Sequence, residues 1–529
     1  MTARAVALTS VLLAAWCGLG RAAASAEAAQ DGVTPSAALM ALLSVTDDTG
    51  QPVIAPATRA YFDALPRRAH ALAEAAVADE VITSAEHLGA ILRLDLPATT
   101  LEIALGDRCF LCHSDPEVHW GDALLSPDPA AADLPPHMEL RAAVQDTHFR
   151  RGLACAGCHG GDPMDPMGHD HVASWPANAD RRRDDRSWIP GFCGRCHSDS
   201  AFMRRFDPGL PTDQLEKYHQ SRHGVALAAG DSRAAQCVSC HGAHGIFGAK
   251  SPRSPVYPAR VPETCGACHG DAAYMEGVQL PDGSPMPTNQ VEEYRDSVHG
   301  RALLERGDVG APACNDCHGN HAALPPDVAS VSQVCRTCHA RNGELFDGSK
   351  HKEAFVVRGW AECDVCHGKH AIARTSDAML APGPQSLCHG CHAEHAGGNP
   401  ECDAAAAYFH ESLIRLATAH DALGERAEHL ARQGLDIEAI EGELSTLFDS
   451  LQQSRSYVHA FDRSEFDQAA ADGRASIDHI ADLEQAAQEE LGQRRLGLLL
   501  AVTLIALLML LLRIKLGRME SAARKAPRG

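Results

Sequence analysis

Cys-x-x-Cys-His occurs nine times between Cys109 and His392, with copies beginning at Cys109, Cys155, Cys193, Cys237, Cys265, Cys314, Cys335, Cys363 and Cys388. These copies consume eighteen of the twenty cysteines. Chance at the chain's Cys and His frequencies supplies about 0.04 such motifs. The chemistry that needs this pattern is covalent haem attachment: two thiols add across the vinyl groups, and the adjacent histidine becomes an axial ligand of the iron. A zinc ribbon also uses Cys-x-x-Cys halves, and a disulfide framework suits an exported chain. Neither requires a histidine after every second cysteine.

The sequence therefore predicts nine covalently attached haem c groups. Attachment falls to Cys109, Cys112, Cys155, Cys158, Cys193, Cys196, Cys237, Cys240, Cys265, Cys268, Cys314, Cys317, Cys335, Cys338, Cys363, Cys366, Cys388 and Cys391. The proximal iron ligands are His113, His159, His197, His241, His269, His318, His339, His367 and His392. Cys17 lies in the leader, and Cys402 is read as a thiol without a role. We number the motifs sites 1 to 9 in chain order.

After site 1 the motifs come in pairs. One module runs from Tyr218 through Ser221-Arg222-His223-Gly224 to Cys237, His244 and Cys265. The next runs from Tyr294 through Ser297-Val298-His299-Gly300 to Cys314, His321 and Cys335, and a third from Ser349-Lys350-His351 to Cys363, His370 and Cys388. A more divergent copy starts at Thr147-His148 and covers Cys155 and Cys193. Each full module thus holds one histidine in an upstream S-x-H stretch and another three residues past the first attachment histidine. Two haems need two distal ligands, so His148, His223, His244, His299, His321, His351 and His370 are the expected distal ligands. His169 or His171 is the candidate partner for the divergent module. His119, His137, His389 and His395 are read as ordinary histidines. Site 1 and site 9 show no clear distal histidine nearby. Which haem each distal histidine serves is not expressed in the spacing.

Elements must hold these groups in place. The fold class expected is mainly α with large irregular content: a nonahaem domain of tandem di-haem modules, a C-terminal helical bundle and one C-terminal transmembrane helix. The boundaries are a signal peptide at 1–26, a helical cap at 27–104, the haem domain at 105–400, the bundle at 401–493, the membrane helix at 494–516 and a basic tail at 517–529. The leader shows Arg4, an apolar run and Ala24-Ser25-Ala26. With five Trp, seven Tyr and thirteen Phe, aromatic side chains are scarce, and porphyrins would supply the missing apolar bodies.

In the bundle, Ile437, Ile440, Leu444, Leu447, Phe448, Leu451 and Val458 keep helical spacing after Asp436, while Gly434 breaks the preceding helix. His410, His420, His429, His459 and His479 lie there and are read as satisfied bundle residues. His459 is the one that could reach the haem domain and cap an iron lacking a local partner. Leu496 to Leu512 is uncharged and spans about 26 Å as a helix. The basic residues following it place the tail in the cytoplasm and the bulk of the chain in the periplasm of a bacterial cell. A net charge of −22 argues against nucleic acid as a partner.

In these modules the chain resembles the multihaem c-type cytochromes of the cytochrome c3 and doubled Cys-x-x-Cys-His families. It is more broadly similar to NapC/NrfH-type and octahaem hydroxylamine-oxidoreductase-like cytochromes. The resemblance implies closely spaced, mostly bis-histidine haems that pass electrons along a chain. Three departures bear on function: the anchor is C-terminal, no attachment histidine is replaced by lysine, and no tyrosine is marked for cross-linking to a haem. The expected function is electron transfer between a membrane quinol or cytochrome b-type oxidoreductase and a periplasmic or outer-membrane acceptor, with no substrate converted. The alternative is a nitrite-, hydroxylamine- or tetrathionate-type oxidoreductase with one open-coordination haem, at site 1 or site 9.

Overall fold

The computed structural model describes residues 35–115, 142–160, 186–280, 282–322, 331–383, 386–394 and 400–525. The leader, His119, His137, His169, His171 and His395 lie outside the described residues. Among the described residues the chain is helical, with no strand beyond isolated bridges at Thr46/Pro52 and Gln279/Pro285. Contacts divide it into two compact units, residues 1–291 with 306–324 and residues 292–305 with 325–529.

In the first unit, five helices (Ala37–Leu43, Pro56–Asp63, Arg67–Ala78, Ala85–Leu92 and Ala98–Leu105) lead into the site 1 helix, Arg108–His113. Serine hydroxyls start two of them: Ser36 accepts from the Leu39 N–H at 3.2 Å and Ser84 from the His87 N–H at 3.1 Å. Pro66 interrupts the run from Tyr61 to Val77, dividing it into two helices. The core comprises Leu39, Phe62, Ile82, Leu88, Ile91, Leu101, Phe110 and Leu111. Phe110 and Leu111 are the two intervening residues of motif 1. The cap is thus built directly on an attachment helix, and each of these two side chains stabilises it by about 1.5–3 kcal/mol on burial. From residue 186 to 291 and from 306 to 322 the helices are short, and the wholly buried apolar side chains are few.

The second unit carries the bundle. Its helices are Pro400–Arg432, Glu438–Tyr457, the short Arg463–Ala469 and the 55-residue Ala471–Lys525. Gly434, at φ +78°, ends the first of them, and the Asp436 carboxylate accepts the Glu438 N–H at 3.0 Å. Phe409, Leu413, Leu416, Leu447, Leu451, Phe466 and Ile480 form the core. The intended membrane segment is no separate element. The last bundle helix simply continues into it, where Leu498, Leu504 and Leu511 are exposed and the mean hydropathy reaches 2.6. That helix is long and apolar enough to cross a membrane.

Candidate functional site

The nine motifs fold in two distinct ways, decided by the residue after the histidine. At sites 2, 4, 6 and 8 it is Gly160, Gly242, Gly319 or Gly368. Each has φ between +72° and +79° and an extended ψ, a region reserved in practice for glycine. The helix stops there after five residues, and the chain turns sharply away. At sites 1, 3 and 5 the following residue, Ser114, Ser198 or Gly270, keeps a negative φ near the helical range. At sites 7 and 9 the following Ala340 and Ala393 are themselves helical. The chain is thus one continuing motif followed by four pairs of a turning and a continuing motif.

The S-x-H stretches are helix N-termini. The Ser221 hydroxyl accepts from the Gly224 N–H at 3.0 Å and donates to the Tyr218 carbonyl at 2.7 Å; Ser297 repeats this with Gly300 and Tyr294 at 3.0 and 2.6 Å. The glycines are obligatory. A Cβ on Gly224 would lie 2.0 Å from the Tyr218 carbonyl oxygen, and one on Gly300 1.9 Å from that of Tyr294. In the divergent module Asp146 does the serine's work, accepting from the His148 N–H at 2.7 Å, His148 Nδ1 at 2.8 Å and the Ile246 N–H at 2.7 Å. Asp146 was not singled out from sequence, although Asp-x-His is a capped-turn signal of the same kind. Backbone bonds tie two of these stretches to the loop after a later turning motif. Thr147 N–H reaches the Ile246 carbonyl, and Val298 N–H the Ile372 carbonyl, both at 2.8 Å.

These elements bring histidine rings together in pairs. Within the first unit the ring centroids of His148 and His197 are 5.9 Å apart, His159 and His244 6.0 Å, His223 and His269 6.1 Å, and His241 and His321 6.1 Å. Within the second, His299 and His339 are 6.3 Å apart, His351 and His392 6.0 Å, and His367 and His459 6.0 Å. Every pair joins an attachment histidine to one that is not. Two imidazoles on opposite faces of one metal, each with a metal–nitrogen bond of about 2 Å, have ring centres about 6.4 Å apart. The residues therefore fit a six-coordinate haem iron.

The pairs follow a rule. Continuing motifs (sites 3, 5, 7 and 9) meet the S-x-H or Asp-x-His histidine of their own module. Turning motifs at sites 2 and 4 meet the histidine three residues past the next module's turning motif. Site 9 therefore has a partner, His351, contrary to the expectation that it lacked one. At site 8, His367 faces His459 of the bundle. His370 sits 3.8 Å from the Glu293 carboxylate, and His389 3.7 Å from Asp403. His113 and His318 end their helices at sites 1 and 6. His87, wholly buried, rests its Nε2 on the Leu111 carbonyl at 2.9 Å, against the end of the site 1 helix.

Burial, and then repulsion by the facing ring, lowers the basicity of His159, His197, His223, His241, His299, His351 and His367; for His269 burial acts alone. Neutral imidazole is the ligating form. Two thiols of sites 1 and 2 are pushed the other way: Cys109 to about 11, by burial and then Asp107, and Cys155 to about 12 for the same two reasons. Cys237 and Cys314 are instead lowered, by hydrogen bonds with Cys193 and Cys265. Burial at Cys109 and Cys155 penalises a thiolate and suits an uncharged thioether. Among the described residues no cysteine is disulfide-bonded, and no group of three or more His, Cys, Asp or Glu could hold a bare metal ion.

Neighbouring motifs meet in chain order through alternating cysteines. First cysteines adjoin at sites 1 and 2 (Cys109, Cys155), 3 and 4 (Cys193, Cys237), 5 and 6 (Cys265, Cys314) and 7 and 8 (Cys335, Cys363). Second cysteines adjoin at sites 2 and 3 (Cys158, Cys196), 4 and 5 (Cys240, Cys268) and 8 and 9 (Cys366, Cys391). In the second unit, buried Glu362 before site 8 binds both Arg336 of motif 7 and Lys352 beside His351.

Residues 230–274 and 356–397 match the doubled CXXCH motif family. The match implies a multihaem c-type cytochrome with covalent haem c. No curated protein and no solved structure matches the chain.

Proposed function

We propose that this chain is an electron carrier of the cytoplasmic membrane, held by its C-terminal helix, with nine haem c groups in the periplasm and no substrate of its own. Haem c, when bound, supplies one-electron iron chemistry. The protein's residues do the rest. Eighteen thiols fix the groups covalently, nine histidines approach from one face, and His148, His197's partner, is matched by His223, His244, His299, His321 and His351 on the opposite face of five other sites. With both faces taken, an iron can change oxidation state but has no position for a small oxyanion or amine. Paired histidines also favour lower potentials than His/Met ligation.

The carrying observation is the set of histidine pairs at 5.9–6.3 Å. The alternating cysteine contacts support electron passage in chain order, from site 1 to site 6 in one unit and from site 7 to site 9 in the other. The partners are a membrane quinol or cytochrome b-type oxidoreductase on one side and a periplasmic or outer-membrane acceptor on the other. Low-temperature EPR of the purified protein tests this reading. Low-spin ferric signals that ignore nitrite, hydroxylamine and cyanide support the carrier. A high-spin signal that shifts on adding them makes the protein a multihaem oxidoreductase instead.

A further inference from the structure

We propose that His459, from the membrane-anchored bundle, is the sixth ligand of the iron at site 8, and that residues 457–461 clasp the bundle onto the last three sites. The inference rests on the bis-histidine reading above and assigns a ligand outside the repeated modules. Site 8 is the last turning motif, so no later module exists to lend it a histidine. The bundle takes over that role.

The geometry is specific. His459 lies in the single 3-10 turn Val458–Ala460, where the helix Glu438–Tyr457 ends. Its ring is nearly parallel to that of His367, at 28° and 6.0 Å between centroids. Its Nδ1 lies 2.9 Å from the Ser456 carbonyl, so Nδ1 carries the proton and Nε2 keeps a free lone pair for a metal. The next turn position, Phe461, has φ +52°, a conformation costing a non-glycine residue about 1–3 kcal/mol. That cost is held by contact: the Phe461 ring lies 3.8 Å from that of His351, the partner of His392 at site 9. On the other side Arg341, two residues past His339 of site 7, donates to the Tyr457 hydroxyl at 2.7 Å and stacks on its ring. Arg455 adds a two-pronged ion pair to Asp377 at 2.8 and 3.0 Å. One turn therefore touches sites 7, 8 and 9.

The clasp also sets a height. The last bundle helix begins at Ala471, and Ser450, one helix over, receives the Gly473 N–H at 3.0 Å. At the other end Arg494 donates to the Gly434 carbonyl at 3.0 Å, just before the apolar stretch. From Ala471 to Leu496 the helix rises about 38 Å. On this reading site 8 is held well clear of the bilayer surface.

The test uses the full chain in detergent, with His459→Gly, His459→Met and the exposed control His479→Ala. His459→Gly should keep the haem content by pyridine haemochrome, convert one low-spin ferric haem to high-spin, gain one equivalent of carbon monoxide binding when reduced, and revert on adding imidazole. His459→Met should remain low-spin with one potential raised. His479→Ala should match the wild type. If His459→Gly yields the wild-type spectrum and binds no added carbon monoxide, the assignment is overturned. A wild-type protein that already binds carbon monoxide at several irons would sink the bis-histidine reading instead, a separate outcome. Should the glycine variant fail to accumulate, an unchanged potential in His459→Met overturns the assignment by itself.

Discussion

Replacing Gly224 with alanine tests how tightly the S-x-H stretch is machined. The added Cβ would stand 2.0 Å from the Tyr218 carbonyl oxygen and 2.9 Å from its carbon. Neither is the end of a flexible side chain. Real contacts of this kind stay beyond about 3 Å, so the first turn of the helix must shift by about 1 Å. Overpacking of this sort costs about 1–3 kcal/mol. His223 immediately precedes Gly224, so its ring moves with the turn, by about half the length of a metal–nitrogen bond. We predict that Gly224→Ala lowers the thermal midpoint and converts the haem at site 5 partly to high-spin, read by EPR and carbon monoxide binding. Gly300→Ala should do the same at site 7, where the clash is 1.9 Å. Gly248, with nothing within 4 Å and no positive φ, is the control. Retention of every low-spin signal and an unchanged midpoint in Gly224→Ala would refute the argument.

Gly319→Ala must hold φ near +77°, at a cost of about 1–3 kcal/mol, and should loosen His321 from site 4, seen as partial high-spin conversion. Asp146→Ala strands the part-buried Ile246 N–H and frees His148 Nδ1, costing up to about 1–3 kcal/mol per stranded donor and weakening the low-spin signal of site 3. In the bundle, Leu447→Ala should cost about 2–5 kcal/mol in thermal melts without changing the haem count. Ending the chain after Gln493 should move the protein from the membrane to the soluble fraction with its visible spectrum intact, because the segment beyond lies outside the bundle core.

The nine motifs were legible because all share one five-residue spacing. Most of the histidines whose rings face a motif histidine were legible too, since they recur at matched positions. Their pairing was not. His244 faces His159, and His321 faces His241, because Gly242 and Gly319 turn the chain away from its own motif and toward the preceding module. The glycines were visible in the sequence, but the direction of the turn is a backbone property. Site 9 looked partnerless because its histidine, His351, precedes the other motif of its module. His459 was the hardest to read, since helical periodicity ran through Val458, whereas the helix ends at Tyr457 and the 3-10 turn aims the ring outward. The bundle and its extension through the apolar stretch followed the expected spacing, because burial of one helix face dominates there.

The central claim is that covalent porphyrins fill this chain and that paired histidines close their irons. Pyridine haemochrome titration and EPR on one sample of the mature protein test it together. Nine haem equivalents per chain are expected, low-spin in the ferric state wherever two histidines face each other. Far fewer than nine equivalents, or zinc in place of iron, would contradict it.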